Sequence, residues 1–100
     1  MPPAATPVQR AEGTVRSYVA ALQRGDLATA ESLLGAGVPT ERSFITSTTR
    51  IRSMSGELQA NGRVKIDVVF DSSTGEYSDT FQLDQGTNGW YIADHFATKM

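Results

Sequence analysis

Between Val8 and Leu22 the apolar residues Val8, Ala11, Val15, Tyr18, Val19 and Leu22 recur at spacings of three and four, with Arg10, Glu12, Arg16 and Gln23 on the other side. That period predicts an amphipathic helix with one core-facing stripe. Its start is written in Thr6-Pro7-Val8-Gln9: Thr6 as N-cap, Pro7 where a missing N–H costs nothing, and Gln9 completing a capping box. Gly13 inside it costs about 1 kcal/mol relative to alanine, which the flanking stripe absorbs. Gly25 supplies a left-handed C-cap and Asp26 the next N-cap, so a short second helix is expected from Leu27 to Leu34, closed by Gly35. The stretch Tyr18 to Ala30 would suit a tetratricopeptide helix pair, but nothing like it recurs about 34 residues later.

After a loop from Gly35 to Glu41 the period changes to two. Ser43 to Met54, rich in Thr, Ile and Phe, reads as a strand. Asn61-Gly62 is a two-residue hairpin signal, both turn positions needing positive φ, and joins Glu57–Ala60 to Arg63–Asp71. The apolar residues before Gly56 do not keep parity with Leu58, which predicts a β-bulge at Gly56. Val64, Ile66, Val68 and Phe70 alternate with polar neighbours, and the runs Tyr77–Leu83 and Trp90–Phe96 follow four-residue loops that end in Gly75 and Gly89. The fold class is therefore α+β: an N-terminal helix pair on a curved, antiparallel, four-stranded meander.

If both loops hold four residues, Asp71 faces Glu76 and Gln85 faces Trp90. Val64 then lies opposite Leu83 and Ile92, Ile66 opposite Phe81 and Asp94, Val68 opposite Asp79 and Phe96, and Phe70 opposite Tyr77 and Thr98. All the apolar rows share one face, which a slip of one residue would destroy. Two aspartates interrupt those rows, and the register makes Asp79 and Asp94 diagonal neighbours framed by Val68, Phe81 and Phe96. Carboxylates so placed do not both ionise freely, which is a basis for acid–base chemistry. The structural alternative pairs them with Arg50 or Arg52, or leaves Asp94 in water at the open end of the sheet. His95 falls on the opposite parity, out of reach of either aspartate, and Trp90 reads as a core plug that can also line a pocket. Arg50 and Arg52 point the same way and could clamp an anion, or pair with Asp67 and Asp71.

Composition narrows the functions. The chain has 100 residues, no cysteine, one histidine and a formal net charge of −2, with no basic face for nucleic acid. Thiolate chemistry, disulfides and multi-histidine metal sites are excluded, and the reading expects neither metal nor cofactor. No apolar run approaches the roughly 20 residues that span a bilayer, so no direct membrane insertion is expected. Residues 1–5 read as a linker or disordered start and 6–100 as one domain. The opening Met-Pro-Pro-Ala-Ala looks like a trimmed linker, which slightly favours an extracytoplasmic, bacterial setting over a cytoplasmic one.

The order of elements, the Gly25-Asp26 corner and the closing Gly89-Trp90-Tyr91-Ile92 strand resemble the NTF2-like (cystatin-like) superfamily. The resemblance runs from Thr6 to Thr98 and implies a bent sheet wrapped as a cone around the first helix. It is nearest in style to the small extracytoplasmic members of unknown function. It implies a non-enzymatic binding or assembly module that takes a small apolar ligand or a protein partner at the cone mouth or sheet face. It also implies homodimers through the outer face, for which Ile45, Ile51 and Val69 are the available apolar residues. The expected ligand-binding set is Tyr77, Asp79, Phe81, Trp90, Asp94, Arg50 and Arg52. The alternative is an isomerase or polyketide cyclase-like enzyme with Asp79 or Asp94 as base and Tyr77 as hydrogen-bond donor.

Overall fold

The computed structural model describes residues 6–41, 44–87 and 89–100; the expected linker, Ser43 and Asn88 lie outside them. Helix α1 spans Pro7–Gln23 and α2 spans Leu27–Ser32, followed by strands β1 (Arg50–Leu58), β2 (Val64–Ser72), β3 (Gly75–Gly86) and β4 (Gly89–Lys99). The strands form one antiparallel meander in the order β1-β2-β3-β4. No described helix is long and apolar enough to cross a membrane.

Both helix ends are set by local chemistry. The Gln9 amide N–H donates to Thr6 Oγ1 at 3.2 Å and the Thr6 N–H to Gln9 Oε1 at 2.9 Å, closing the expected capping box. Gly25, at φ 74°, follows the C-cap Arg24, and the Asp26 N–H donates to the Ala21 carbonyl at 2.8 Å in a Schellman arrangement. Asp26 then caps α2 through Thr29 N–H at 3.1 Å. The second helix stops at Ser32, two residues earlier than expected, because Leu33 and Leu34 leave it to run beside β4. Replacing Thr6 by alanine removes one half of the capping box, and thermal unfolding should register a loss of about 1 kcal/mol. An unchanged midpoint would show that the first turn is held by packing alone.

One face of α1 meets one face of the sheet. Ala11, Val15, Tyr18, Val19 and Leu22 are buried against Val64, Ile66, Val68, Phe70, Phe81, Leu83 and Ile92. The β2–β3 register is as expected, with Val64 opposite Leu83, Ile66 opposite Phe81, Val68 opposite Asp79 and Phe70 opposite Tyr77. Ser72 also pairs with Gly75, so the loop between these strands shrinks to Ser73-Thr74.

Three local expectations are corrected. The strand expected from Ser43 begins only at Arg50, because residues 44–49 are held by side chains instead of a ladder. Thr49 Oγ1 donates to the Phe44 carbonyl at 2.7 Å and accepts from the Thr46 N–H at 2.9 Å, the local competition that Ser and Thr offer to strand formation. The bulge in β1 falls between Ile51 and Ser53, while Gly56 pairs regularly with Ile66. At the hairpin only Gly62 has positive φ, at 87°; Gly62 N–H donates to the Gln59 carbonyl and Gln59 N–H to that of Arg63, the longer glycine-closed turn.

The largest correction lies in β4. Leu83 faces Ile92 as expected, but Gln82 faces Asp94, so Ala93 is an extra residue and every later side chain changes face. Phe81 now faces His95 and Asp79 faces Ala97, which brings His95 to the inner face and turns Asp94 and Phe96 outward. The bulge sits beside a tertiary contact. The Ile92 N–H donates to the Leu33 carbonyl and the Gly35 N–H to the Ile92 carbonyl, both at 2.8 Å, so the chain leaving α2 docks on β4 immediately before the bulge.

Candidate functional site

Four polar groups from four segments converge on the inner face midway along β3 and β4: Tyr18 on α1, Glu41 in the segment after α2, Asp79 on β3 and His95 on β4. Tyr18 is fully buried and packs edge-on to Phe81 with ring centroids 6.0 Å apart. Its hydroxyl accepts from the Glu41 backbone N–H at 2.9 Å and donates to Glu41 Oε1 at 3.3 Å. One phenol therefore fixes both the backbone and the carboxyl of Glu41.

His95 is held from the other side. Its Nε2 lies 2.5 Å from the Pro39 carbonyl, which can only accept, so Nε2 carries the proton and Nδ1 is turned towards Glu41 Oε2, 3.4 Å away. The ring also stands against Phe81, 6.2 Å between centroids. Asp79 has no exposed surface, and no fixed N–H or O–H donor reaches either of its oxygens or the buried Glu41 Oε2, so the only proton within reach is one the two carboxyls hold themselves.

Burial, reinforced by the neighbouring Asp79 carboxyl and partly offset by the Tyr18 hydroxyl, pushes the Glu41 carboxyl up to about 10. Burial also raises Asp79, against the opposing pull of Glu41 and of His95. The Tyr18 hydroxyl is pushed above its ordinary value, first by burial and then by Glu41. With no cation built in, such carboxyls remain protonated where exposed ones ionise.

The expected site residues do not form one group. Asp79 and Phe81 belong to the cluster, but Asp94 is exposed and accepts only from the His95 backbone N–H at 2.9 Å, so the Asp79–Asp94 diagonal does not exist. Tyr77 stacks on Phe44 at 4.3 Å, and its hydroxyl bonds to Thr74 at 2.9 Å. Trp90 lines a shallow surface concavity with Leu33, Gly35, Gly86 and Tyr91. Arg50 lines another with Gln23 and Thr49, and Arg52 pairs with Asp71 and Glu76. Among the described residues, no arginine pairs with Asp79 or Asp94; of the structural alternatives, solvation is the one that holds for Asp94.

Sequence reasoning missed Glu41, His95 and Tyr18 as site residues. Glu41 lies in an aperiodic segment, and His95 has the wrong parity until the Ala93 bulge is known. Tyr18 reads as an ordinary core position; only its place over the 35–41 segment gives it a polar task. Ile45 is buried and Ile51 packs against the core, so of the three apolar residues expected on the outer face only Val69 is there. No family model matches the chain, and no curated protein is similar enough to count as a relative.

Proposed function

We propose that the chain is a non-enzymatic binding module of NTF2-like architecture that assembles with a second copy of itself through the outer face of its sheet. The observation that carries this reading is Phe96, 72% exposed, which the β4 bulge delivers to that face. Aromatic anchors on otherwise polar surfaces are favoured at protein interfaces. Around Phe96 lie two rows: Ser53, Val69, Ser78 and Thr98, and Ser55, Asp67, Thr80 and Phe96. Asp67 accepts from Thr80 at 2.8 Å and lies 3.9 Å from Lys65, while the next row on this face, Glu57, Lys65, Gln82 and Asp94, adds two carboxylates beside the anchor. Self-association therefore rests on the Phe96 anchor, and added salt, which screens the carboxylates of the two faces, should strengthen it.

The interior supports the same reading. Tyr18, Phe70, Phe81, Ile66 and Leu83 fill the space between helix and sheet and are fully buried. An isomerase or cyclase with Asp79 as base needs a substrate-sized cavity beside that carboxyl. Asp79 is wholly buried, Asp94 faces outward, and the Tyr77 and Thr74 hydroxyls are bonded to each other.

Light scattering across a dilution series tests the reading. The wild type is expected to run as a dimer whose melting temperature rises with concentration, and Phe96→Asp as a folded monomer whose melting temperature does not. A wild type that stays monomeric at every concentration would overturn self-assembly.

A further inference from the structure

The inner face midway along β3 and β4 brings together three acceptors and no permanent donor. Asp79 presents two unpartnered oxygens, Glu41 presents Oε2, and His95 presents Nδ1, its other nitrogen being committed to the Pro39 carbonyl. One ligand atom from each of these residues can be chosen so that all lie within 4.8 Å of one another. Among the described residues no lysine or arginine pairs with Glu41 or Asp79. A buried carboxylate without a hydrogen bond is costly, and a single small cation at the centre would satisfy all three groups at once.

We propose that Glu41, Asp79 and His95 bind one divalent first-row transition-metal ion, with zinc the best match. A tetrahedral zinc site with bonds of about 2.0–2.1 Å separates its ligand atoms by about 3.3 Å. His95 Nδ1 and Glu41 Oε2 already stand 3.4 Å apart. The ligand set of one imidazole and two carboxylates suits zinc and its neighbours, whereas calcium takes six to eight oxygens.

The surrounding groups are those a metal site needs. The Pro39 carbonyl on His95 Nε2 holds the ring in the tautomer that leaves Nδ1 free to ligate. The Tyr18 hydroxyl binds Glu41 Oε1 and leaves Oε2 for the ion. Phe81 and Tyr18 close the inner side as an apolar wall. The His95 and Glu41 side chains retain 9% and 5% exposure, so an ion can enter at the Pro39 edge although an organic substrate cannot reach Asp79. The expectation of no metal came from counting histidines and cysteines, and a mixed set with one histidine escapes that count. This site is separate from the outer face, so it stands or falls independently of self-assembly.

The test uses the full chain stripped with a chelator, then titrated with Zn²⁺, Co²⁺ and Mg²⁺ while thermal unfolding, calorimetric stoichiometry and the visible spectrum of cobalt are followed. One Zn²⁺ per chain is expected, and at about 100 times Kd the folded-to-unfolded ratio should rise about 100-fold. Cobalt should give the intense visible bands of a tetrahedral site, and Mg²⁺ should leave the melting temperature unchanged. Asp79→Asn and His95→Gln should each lose the zinc response, while Asp94→Asn, on the outer face, keeps it. Should His95→Gln fail to fold, Asp79→Asn decides alone. A wild type indifferent to all three ions, or an Asp79→Asn variant that keeps the full zinc response, would overturn the site.

Discussion

In metal-free protein at pH 8, Asp79→Asn is expected to be more stable than the wild type by about 1–3 kcal/mol, the typical cost of an unpartnered buried polar group. Asparagine has nearly the same shape as aspartate, cannot ionise, and offers an N–H to Glu41 Oε2, now without a partner. The gain depends on pH. Burial raises both Glu41 and Asp79, so the folded chain keeps protons that unfolded carboxyls release near pH 4. Above that pH the native state binds more protons than the unfolded chain, and stability therefore falls as pH rises. The stabilising contribution is complete below the ordinary carboxyl range and is lost progressively as pH climbs, for Glu41 until about 10. Tyr18 and His95 are the other titratable groups facing the pair.

Urea unfolding with chelator present, at a series of pH values from 5 to 9, measures both effects. Wild-type stability should decline across the range, and Asp79→Asn should decline less and lie above it at the alkaline end. A wild-type stability that is flat or rises with pH would show that the two carboxyls ionise freely in the folded chain. The same substitution removes a proposed zinc ligand, so one change should separate the two properties: greater stability without metal and no response to it. Residues that bind or react commonly cost stability in this way.

Gly56→Leu should destabilise the fold by about 1–2 kcal/mol, the lower part of the range for overpacking, because the position is itself exposed and only side-chain ends stand in the way. Gly56 pairs with Ile66 in an unbroken stretch of β1, and its face is the one that α1 crosses. A Cβ at this position would lie 2.6 Å from Val8 Cγ1 and 2.8 Å from Ile66 Cδ1. The first turn of α1 rests directly on the strand backbone, so glycine is required there for closeness of approach and not for a bulge. At about 4–8 °C per kcal/mol for a domain of this size, the melting temperature should fall by about 4–16 °C. Gly56→Ala should cost less, and Val8→Ala in the same chain should recover part of it, a coupling that a double-mutant cycle measures. An unchanged melting temperature for Gly56→Leu would mean that the helix end is free to lift away.

Legibility in the sequence followed the range of the interactions. Thr6, Gln9, Gly25 and Asp26 act within five residues of themselves, so the helix starts and the corner between helices could be read directly. The β2–β3 register could be read as well, because a short loop joins two strands whose apolar rows fit in only one way. Glu41 offered no such signal: its partners Tyr18 and His95 are distant in sequence, and its own segment has no period.

By itself the sequence determined the α+β class, both helix caps, the order of the strands and the presence of an aspartate on the core side of β3. The tertiary structure decided that aspartate's neighbours. Docking of Leu33–Gly35 against Ile92 accompanies the insertion of Ala93 into β4, and that one residue exchanges Asp94 for His95 on the inner face and puts Phe96 outside. Side chains along a strand alternate with a period of two, so a single extra residue reverses the facing of every residue beyond it. The segment docked beside it lies about 60 residues away along the chain, beyond the range of any local pattern.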